Sequence, residues 1–300
     1  GFRLRMGAES VDLLRSGNRV TGVRWRTRGE ETLQEIHADL TVVCEGRNSV
    51  LRRQLDLPST EFPVPFDVWW FQLPKRPGDE QEAPRIAPRL GEAEGLLRLA
   101  RPEHDQLAYL APKGSDQQLR AEGVAALRQR IASLAPELTD RLKALTSMDD
   151  VHRLDVRLDR LRRWYAEGVL CIGDAAHAMT PVGGVGINLA IQDAVAAARI
   201  LGPVLQRGRV APSDLARVQR RRMPPTRVVQ WMQRAVNARV LRPVFERRRS
   251  GPPPALPALM KALPMLSALP ARLISYGPRA EPTPEFARRA PAAHQDQTEG

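Results

Sequence analysis

One stretch of the sequence, GVLCIGDAAHAMTPVGGVGINLAIQDAVAAA from 168 to 198, limits the possible folds most strongly. An apolar run there ends in Gly-Asp, a glycine-rich loop follows, and a second apolar run has helical spacing. Because His177 is the only acidic or basic residue between Asp174 and Asp193, insertion into a membrane is one candidate. The glycines and Pro181 oppose it, since backbone polar groups that they free find no partner in lipid. The stretch therefore predicts a strand, a loop and a helix of a globular protein.

A second apolar run, from Leu40 to Cys44, ends in a similar way at Glu45 and Gly46. Both runs predict strands that are buried on both faces of one central sheet, with a ligand at the strand ends. Residues 2–27 alternate apolar and polar side chains around a Ser-Gly-Asn break, which predicts two strands joined by a tight turn.

The region from 53 to 160 has a different character. Short alternating runs predict an antiparallel sheet, and a helical pattern with a break at Pro136 follows from 118 to 145. A charged alternating segment then leads back toward the first sheet. Four aromatic residues of this region are equally compatible with a pocket and with core packing: Trp69, Trp70, Phe71 and Tyr109.

After the glycine loop the pattern predicts helices. The first follows Gly183 and stops at the Gly-Pro pair 202–203. One or two more helices surround the prolines at 224–225, with Ser213 as the N-cap, and the arginines at 220–222 predict a solvated helix face. The Pro-rich sequence from 251 onward predicts a surface-lying segment or a weak interfacial patch.

Composition narrows the class of protein and of partner. With 42% hydrophobic and 27% charged residues, the chain is globular rather than disordered. A net charge of +12 predicts an anionic partner, and since the basic residues are scattered we favour an anionic cofactor over nucleic acid. With two cysteines the sequence predicts no disulfide framework, which fits a cytoplasmic protein, and we expect Cys44 and Cys171 to be small buried hydrophobes. From its opening residues we expect no signal peptide, and we also expect no transmembrane segment and no metal site.

The residues that follow the apolar run before Asp174 are of types that can bind a ligand. A carboxylate at a strand end, that of Asp174, can accept hydrogen bonds from the vicinal hydroxyls of a sugar or sugar alcohol. The following glycines let backbone N–H groups approach a ligand, and the helix N-terminus stabilises negative charge there. We expect His177 to be structural and satisfied by backbone, because no nearby sequence supplies a carboxylate partner.

The motif GDAAHAMTPVGGVGINLAIQDA closely resembles the second FAD-binding motif of the flavoprotein aromatic hydroxylases, the para-hydroxybenzoate hydroxylase-like monooxygenases. LTVVCEGRNSVLRRQL resembles another motif of that family, where Gly46, Ser49 and Arg52 fit and Glu45 replaces the usual Asp. The family begins with a GxGxxG unit, which this sequence lacks, so the resemblance implies that the first part of the FAD domain lies upstream of Gly1.

By this resemblance Asp174 would bind the ribityl chain of FAD, and Pro181 would lie near the reactive edge of the ring. Backbone donors from the loop would meet its pyrimidine edge, and the helix dipole would favour the anionic reduced flavin. Pro181, Gly184 and Asn188 are the implied catalytic residues. The implied cofactor-binding residues are Glu45, Gly46, Arg52, Gly173, Asp174, Pro181, Gly183, Gly184, Val185, Gly186, Ile187 and Asn188.

The resemblance implies an α/β fold, in which a Rossmann-like FAD-binding domain, incomplete at its N-terminus, carries an inserted antiparallel substrate domain and C-terminal helices. We expect the FAD-binding domain to consist of two pieces, at 1–52 and 161–206, with the substrate domain inserted between them at 53–160. The C-terminal helices would follow at 207–250 and a Pro-rich tail at 251–300.

The implied function is that of a monooxygenase. It would take electrons from NAD(P)H and, through a flavin hydroperoxide, transfer oxygen from O2 to a small aromatic or lipophilic substrate. A reductase of the geranylgeranyl-reductase type and a flavin halogenase remain alternatives, although the pattern around Trp69 and Trp70 is not that of a halogenase. A truncated flavoprotein that binds no cofactor is the non-enzyme alternative. The sequence does not decide the substrate, the choice between NADH and NADPH, or the oligomeric state.

Overall fold

The computed structural model describes residues 2–76, 78, 86–247 and 277–284. Most of the Pro-rich tail, with its predicted interfacial patch, lies outside these residues. The strands in chain order are β1 (Ala8–Ser16), β2 (Arg19–Thr27), β3 (Gln34–His37), β4 (Thr41–Val43), β5 (Ser59–Phe62), β6 (Phe66–Pro74), β7 (Ile86–Leu90), β8 (Gly95–Ala100), β9 (His104–Pro112), β10 (His152–Leu154), β11 (Leu158–Leu161), β12 (Tyr165–Ala166) and β13 (Val169–Cys171). The α-helices are α1 (Val50–Gln54), α2 (Asp116–Leu134), α3 (Gly186–Gln206), α4 (Pro212–Val236) and α5 (Arg242–Phe245).

Strands β1, β2 and β3 form an antiparallel sheet at the start of the chain. The turn between β1 and β2 contains Gly17 at φ 58°, a left-handed conformation that glycine adopts without steric cost. The two strands and the tight turn predicted from the alternating pattern are confirmed.

A small central sheet has the order β12, β13, β4, and its last two strands are parallel. Strand β13 is buried throughout, as predicted. For β4 the prediction of two buried faces is wrong, because Val42 is 40% exposed and no described element covers it. Cys171 is buried, and burial raises the pKa of its thiol to about 12. Cys44 is exposed, contrary to expectation, because it lies just beyond the end of β4.

The antiparallel sheet predicted between the two halves of the chain has five strands in the order β10, β6, β9, β8, β7. Along β6 the side chains alternate between two packed faces. Trp69 and Phe71 pack with Tyr109 against α2, so these three belong to the core. On the opposite face Trp70 is half-buried in a second apolar cluster with Phe66. The limits of the predicted domains stay a prediction.

The helices depart from the sequence pattern at prolines. Helix α3 continues past Gly202 and Pro203, because its last turns, with Leu201, pack into the core. Helix α4 is a single helix through both prolines at 224–225, with buried side chains before and after them. Its N-cap is Ala211 rather than Ser213, because Pro212 occupies the first helical position, where a missing N–H costs nothing.

Helix α3 and the turn before it, Val182–Gln206, are long and apolar enough to cross a membrane by length and composition. The buried face of α3 nevertheless carries Asp193, which is fully buried and ion-paired with Arg222 of α4. Leu189 and Leu201 on the same face are also buried among other parts of the chain. One face of α3 therefore packs against other parts of the chain.

Candidate functional site

Parallel pairing of β4 and β13 brings the two polar strand ends together. Val43 is the register partner of Cys171, and the N–H of Ile172 donates to the Val43 carbonyl at 3.0 Å. The backbone therefore leaves both strands at the same edge of the sheet, from β4 toward Gly46 and from β13 toward Asp174. The ligand position expected from the sequence lies at this edge.

Asp174 lies in a short turn after β13, with its side chain 27% exposed. Its Oδ2 accepts a hydrogen bond from Nη2 of Arg47 at 2.8 Å, and the same guanidinium donates to the carbonyl of Asp155 at 3.4 Å. Sequence reasoning missed Arg47, although it directly follows Gly46 in the polar cluster after the first strand. The Arg47 contact orients the carboxylate that was predicted to bind cofactor hydroxyls.

The glycine loop leaves its backbone open. Pro181 precedes a single helical turn, and Gly183 and Gly184 have φ 80° and 63°, which favour glycine. A Cβ on Gly184 would meet nothing within 4 Å, so the loop has free space on that side. Val185 is buried, whereas Ile187 is 68% exposed. Any contact from Val185 to a ligand would therefore use backbone atoms.

Helix α3 begins at Gly186 next to the Asp174 carboxylate. A Cβ on Gly186 would lie 3.9 Å from Oδ1 of Asp174 and 3.4 Å from the Cβ of Met179. The helix has no side-chain cap on its first turn and no acidic residue there. The positive end of the helix dipole therefore lies beside the Asp174 carboxylate at this site, and a helix end of this kind suits an anionic ligand atom.

A buried charge network supports the strand end from behind. Oδ2 of Asp193 accepts from the N–H of Gly173 at 3.1 Å and lies 2.6 Å from Nε2 of His177. Its Oδ1 accepts from Nε of Arg222 at 2.9 Å. Burial alone would raise the pKa of Asp193, but His177 and Arg222 outweigh it and hold that pKa below its ordinary value. Asp193 is therefore an anion in the folded protein.

This network corrects two expectations. The ring of His177 is partnered by a carboxylate rather than by backbone, and Arg222 is fully buried rather than solvated. His177 lies 16 residues from Asp193 and meets it where α3 packs on the segment after β13. Arg222 lies 29 residues from Asp193 and meets it where α4 packs on α3. Gly173 at φ 58° also permits close packing, since a Cβ there would lie 3.0 Å from that of Ala190.

The other predicted residues after β4 make structural contacts. Glu45 accepts from the hydroxyls of Ser10 and Ser49 and from the N–H of Leu51, and Ser49 caps α1. Arg52 donates to Asp159 of β11 at 3.0 Å. Burial raises the pKa of Asp159 despite this partner. A cofactor role for Glu45 and Arg52 stays a prediction.

Two buried glutamines of α4 hold the backbone between the Asp174 turn and the glycine loop. Gln233 accepts from the Thr180 N–H at 3.2 Å and donates to the carbonyls of Thr180 and Val182, each at 2.9 Å. Gln230 donates to the carbonyl of Ala178 in this segment at 3.4 Å and to that of Asp159 in β11 at 2.7 Å. Sequence reasoning missed both glutamines. The sequence pattern that could have indicated them is two polar residues, at i and i+3, on the otherwise apolar face of a helix.

Comparison with known proteins identifies the family. The FAD binding domain family matches residues 1–232, more than half of the chain. The chain belongs to the FAD binding domain family. Among its relatives is the 6-methylpretetramide 4-monooxygenase of Streptomyces rimosus, 36% identical over 193 residues that make up 64% of this chain and 45% of the relative. The chain spans about half the length of the curated relatives it matches.

Solved structures of this FAD binding domain fold lie at lower identity. PqsL of Pseudomonas aeruginosa, a probable FAD-dependent monooxygenase, has TM-score 0.60 at 22% identity over 80% of this chain and 65% of that one. The flavin-dependent brominase Bmp2 has TM-score 0.64 at 14% identity over 89% of this chain and 64% of that one. At these identities the likeness shows the fold. The predicted family resemblance and fold class are confirmed, and the family has FAD as its cofactor.

Proposed function

We propose that this chain supplies the ribityl-, ring- and substrate-facing part of an FAD-dependent monooxygenase. The observation that carries this proposal is the Asp174 carboxylate beside the open glycine loop and the uncapped N-terminus of α3. The 36% identity to a protein named as a monooxygenase supports oxygen transfer as the reaction. The electron donor would be NAD(P)H, the co-substrate O2, and the product a hydroxylated or epoxidised small aromatic or lipophilic compound.

The residues present fit FAD. Asp174 would accept hydrogen bonds from ribityl hydroxyls while its Oδ2 accepts from Arg47. Backbone N–H groups from Gly184 to Asn188 would meet the pyrimidine edge of the ring, and Pro181 would lie beside the reactive edge. FAD supplies the redox and oxygen-transfer chemistry when bound. The helix end would stabilise negative charge, and the two glutamines of α4 would keep the loop in place.

The substrate would lie against the five-stranded sheet. Phe66, Val68 and Trp70 form an apolar face of β6 that packs with Val182, the residue after Pro181. Phe66 and Val68 are fully buried under other side chains, so an aromatic or lipophilic molecule would contact this face at the half-buried Trp70. This face would also exclude water from the reacting atoms.

The test uses the protein that contains this chain, with NAD(P)H, ¹⁸O₂ and candidate aromatic substrates. Incorporation of one ¹⁸O atom into product, with equal NAD(P)H consumption, is the expected result. Reduction of substrate without oxygen uptake would identify the reductase alternative, and halide-dependent product would identify the halogenase. Failure of the folded protein to bind FAD would overturn the proposal altogether.

A further inference from the structure

A groove of about 350 Å³ runs along the outer side of α4 and the turn after it, apart from the candidate cofactor site. We call it the α4 groove. The residues that define its chemistry are Pro63, Trp231, Arg234, Asn237, Arg239 and Arg242. None of the contacts described above for the Asp174 site uses these side chains.

Asn237 is the first sign that the α4 groove receives a ligand. Asn237 is one of the residues that line the groove, and it is only 3% exposed, yet neither atom of its buried amide has a hydrogen-bond partner in the described part of the protein. A buried amide without partners is costly and rare in folded proteins. It begins a π-helical turn, Asn237–Leu241, a form that occurs frequently at functional sites. A ligand with a polar edge would satisfy it.

The charge of the α4 groove is positive. Arg234, Arg239 and Arg242 line it, and no carboxylate is among the described residues that line it. Arg242 has a partner in Glu246 at 3.3 Å, but both side chains are largely exposed, so that pair is weak. Behind the groove, burial and then the charges of Arg227 and Arg234 lower the pKa of Arg160. The local potential therefore favours an anion.

The shape and surface of the α4 groove favour a flat aromatic body. Trp231 lies at the side of the groove and is 65% exposed, although a tryptophan ring normally buries most of its area. Pro63 provides an apolar surface on the neighbouring segment. Arg234 shows the same stacking chemistry already, since its guanidinium lies 4.4 Å from the ring centre of Phe62.

We propose that the α4 groove is a second small-molecule site, which binds a planar aromatic anion bearing a carboxylate, phenolate or enolate. Trp231 stacks on the aromatic plane, Arg239 and Arg242 pair with the negative group, and the Asn237 amide bonds the polar edge. The proposal does not depend on the reaction at the flavin. It does place the ligand one helical turn from Gln233, which holds the backbone of Thr180 and Val182.

The first test measures binding of 3-hydroxy-2-naphthoate to the purified protein by calorimetry. We expect one equivalent to bind, and Trp231→Ala and Arg239→Gln each to weaken binding by about fivefold or more. Arg220→Gln, an exposed arginine of the same helix, is the matched control and should leave binding unchanged. The neutral 3-hydroxy-2-naphthamide should bind more weakly than the acid. Absence of binding, or binding that neither variant weakens, would overturn the proposal.

The second test separates a ligand role of Asn237 from a structural one. Asn237→Leu removes the unpaired amide at nearly constant volume, so it should raise the melting temperature while weakening naphthoate binding about fivefold or more. Gln233→Leu, the same change one turn earlier, removes three made hydrogen bonds and should lower the melting temperature. Unchanged naphthoate affinity, or a lower melting temperature, in Asn237→Leu would contradict a ligand role.

Discussion

The carboxylate of Asp193 accepts the backbone N–H of Gly173 at 3.1 Å, so helix α3 holds the strand end that delivers Asp174. The same carboxylate binds Arg222, which α4 contributes. Helix α3, whose first part belongs to the motif, and helix α4, which follows the motif in sequence, thus fix the geometry of the turn at Asp174. The candidate cofactor site depends on charges that no ligand would touch.

Asp193→Asn should destabilise the protein strongly. The change removes the carboxylate that Arg222 and His177 share, and Glu281, 3.3 Å from Nη1 of Arg222, stays as the remaining anion of that guanidinium. Breaking a buried ion pair of this kind costs about 3 kcal/mol in free energy of unfolding. Urea denaturation of the variant and the wild type measures the difference. Glu103→Gln, at an exposed position, is the control and should change stability by less than about 0.5 kcal/mol. A loss below about 1 kcal/mol in Asp193→Asn would contradict the stabilising role of the network.

The network also predicts the dependence of stability on pH. Because the folded-state pKa of Asp193 is lowered, its contribution is fully present above the unfolded-state pKa of about 3.9 and is lost as pH falls through the lower folded value. His177 and Arg222 face the carboxylate and favour its charged form. Stability measured from pH 6 downward should fall more steeply in the wild type than in Asp193→Asn. If stability falls equally steeply with decreasing pH in both proteins, Asp193 is not the group that causes the acid dependence.

Position 186 should tolerate one methyl group and no more. Gly186→Ala places its Cβ at ordinary contact distances from Met179 and Asp174, so flavin binding should be close to that of the wild type. Gly186→Val adds two methyl groups between the helix end and the carboxylate, and we expect a folded protein that retains little flavin. Circular dichroism and flavin absorbance of both variants after desalting test this pair. Equal flavin retention by Val and Ala would show that the ligand does not approach here.

The part of the site that is contiguous in sequence could be predicted. The strand, the Gly-Asp turn, the glycine loop and the start of α3 follow one another from 169 onward, and local pattern alone specifies them. Parallel pairing with the strand before Gly46 was also predictable, because two similar apolar runs end in similar polar clusters.

The contacts between distant segments could not be predicted. Arg47 and Asp174 are 127 residues apart, and no local pattern indicates that they pair. The arginine at 222 looked solvated because its neighbours at 220 and 221 are also arginines, and only the packing of α4 on α3 decides which of them is buried. Prolines 224 and 225 likewise predict a break that tertiary packing overrides.

The most direct test of the central claim is FAD affinity of Asp174→Ala in the protein that contains this chain. Loss of a charge-assisted hydrogen bond to the cofactor should weaken binding by about 1.5–3 kcal/mol, roughly ten- to 150-fold in Kd. Glu103→Ala provides the matched control at an exposed acid remote from the motif in sequence, and we expect it to bind FAD as the wild type does. Titration of the apoprotein with FAD, followed by flavin fluorescence, measures all three constants. An Asp174→Ala protein that is folded and binds FAD as tightly as the wild type would contradict the placement of the cofactor at this strand end.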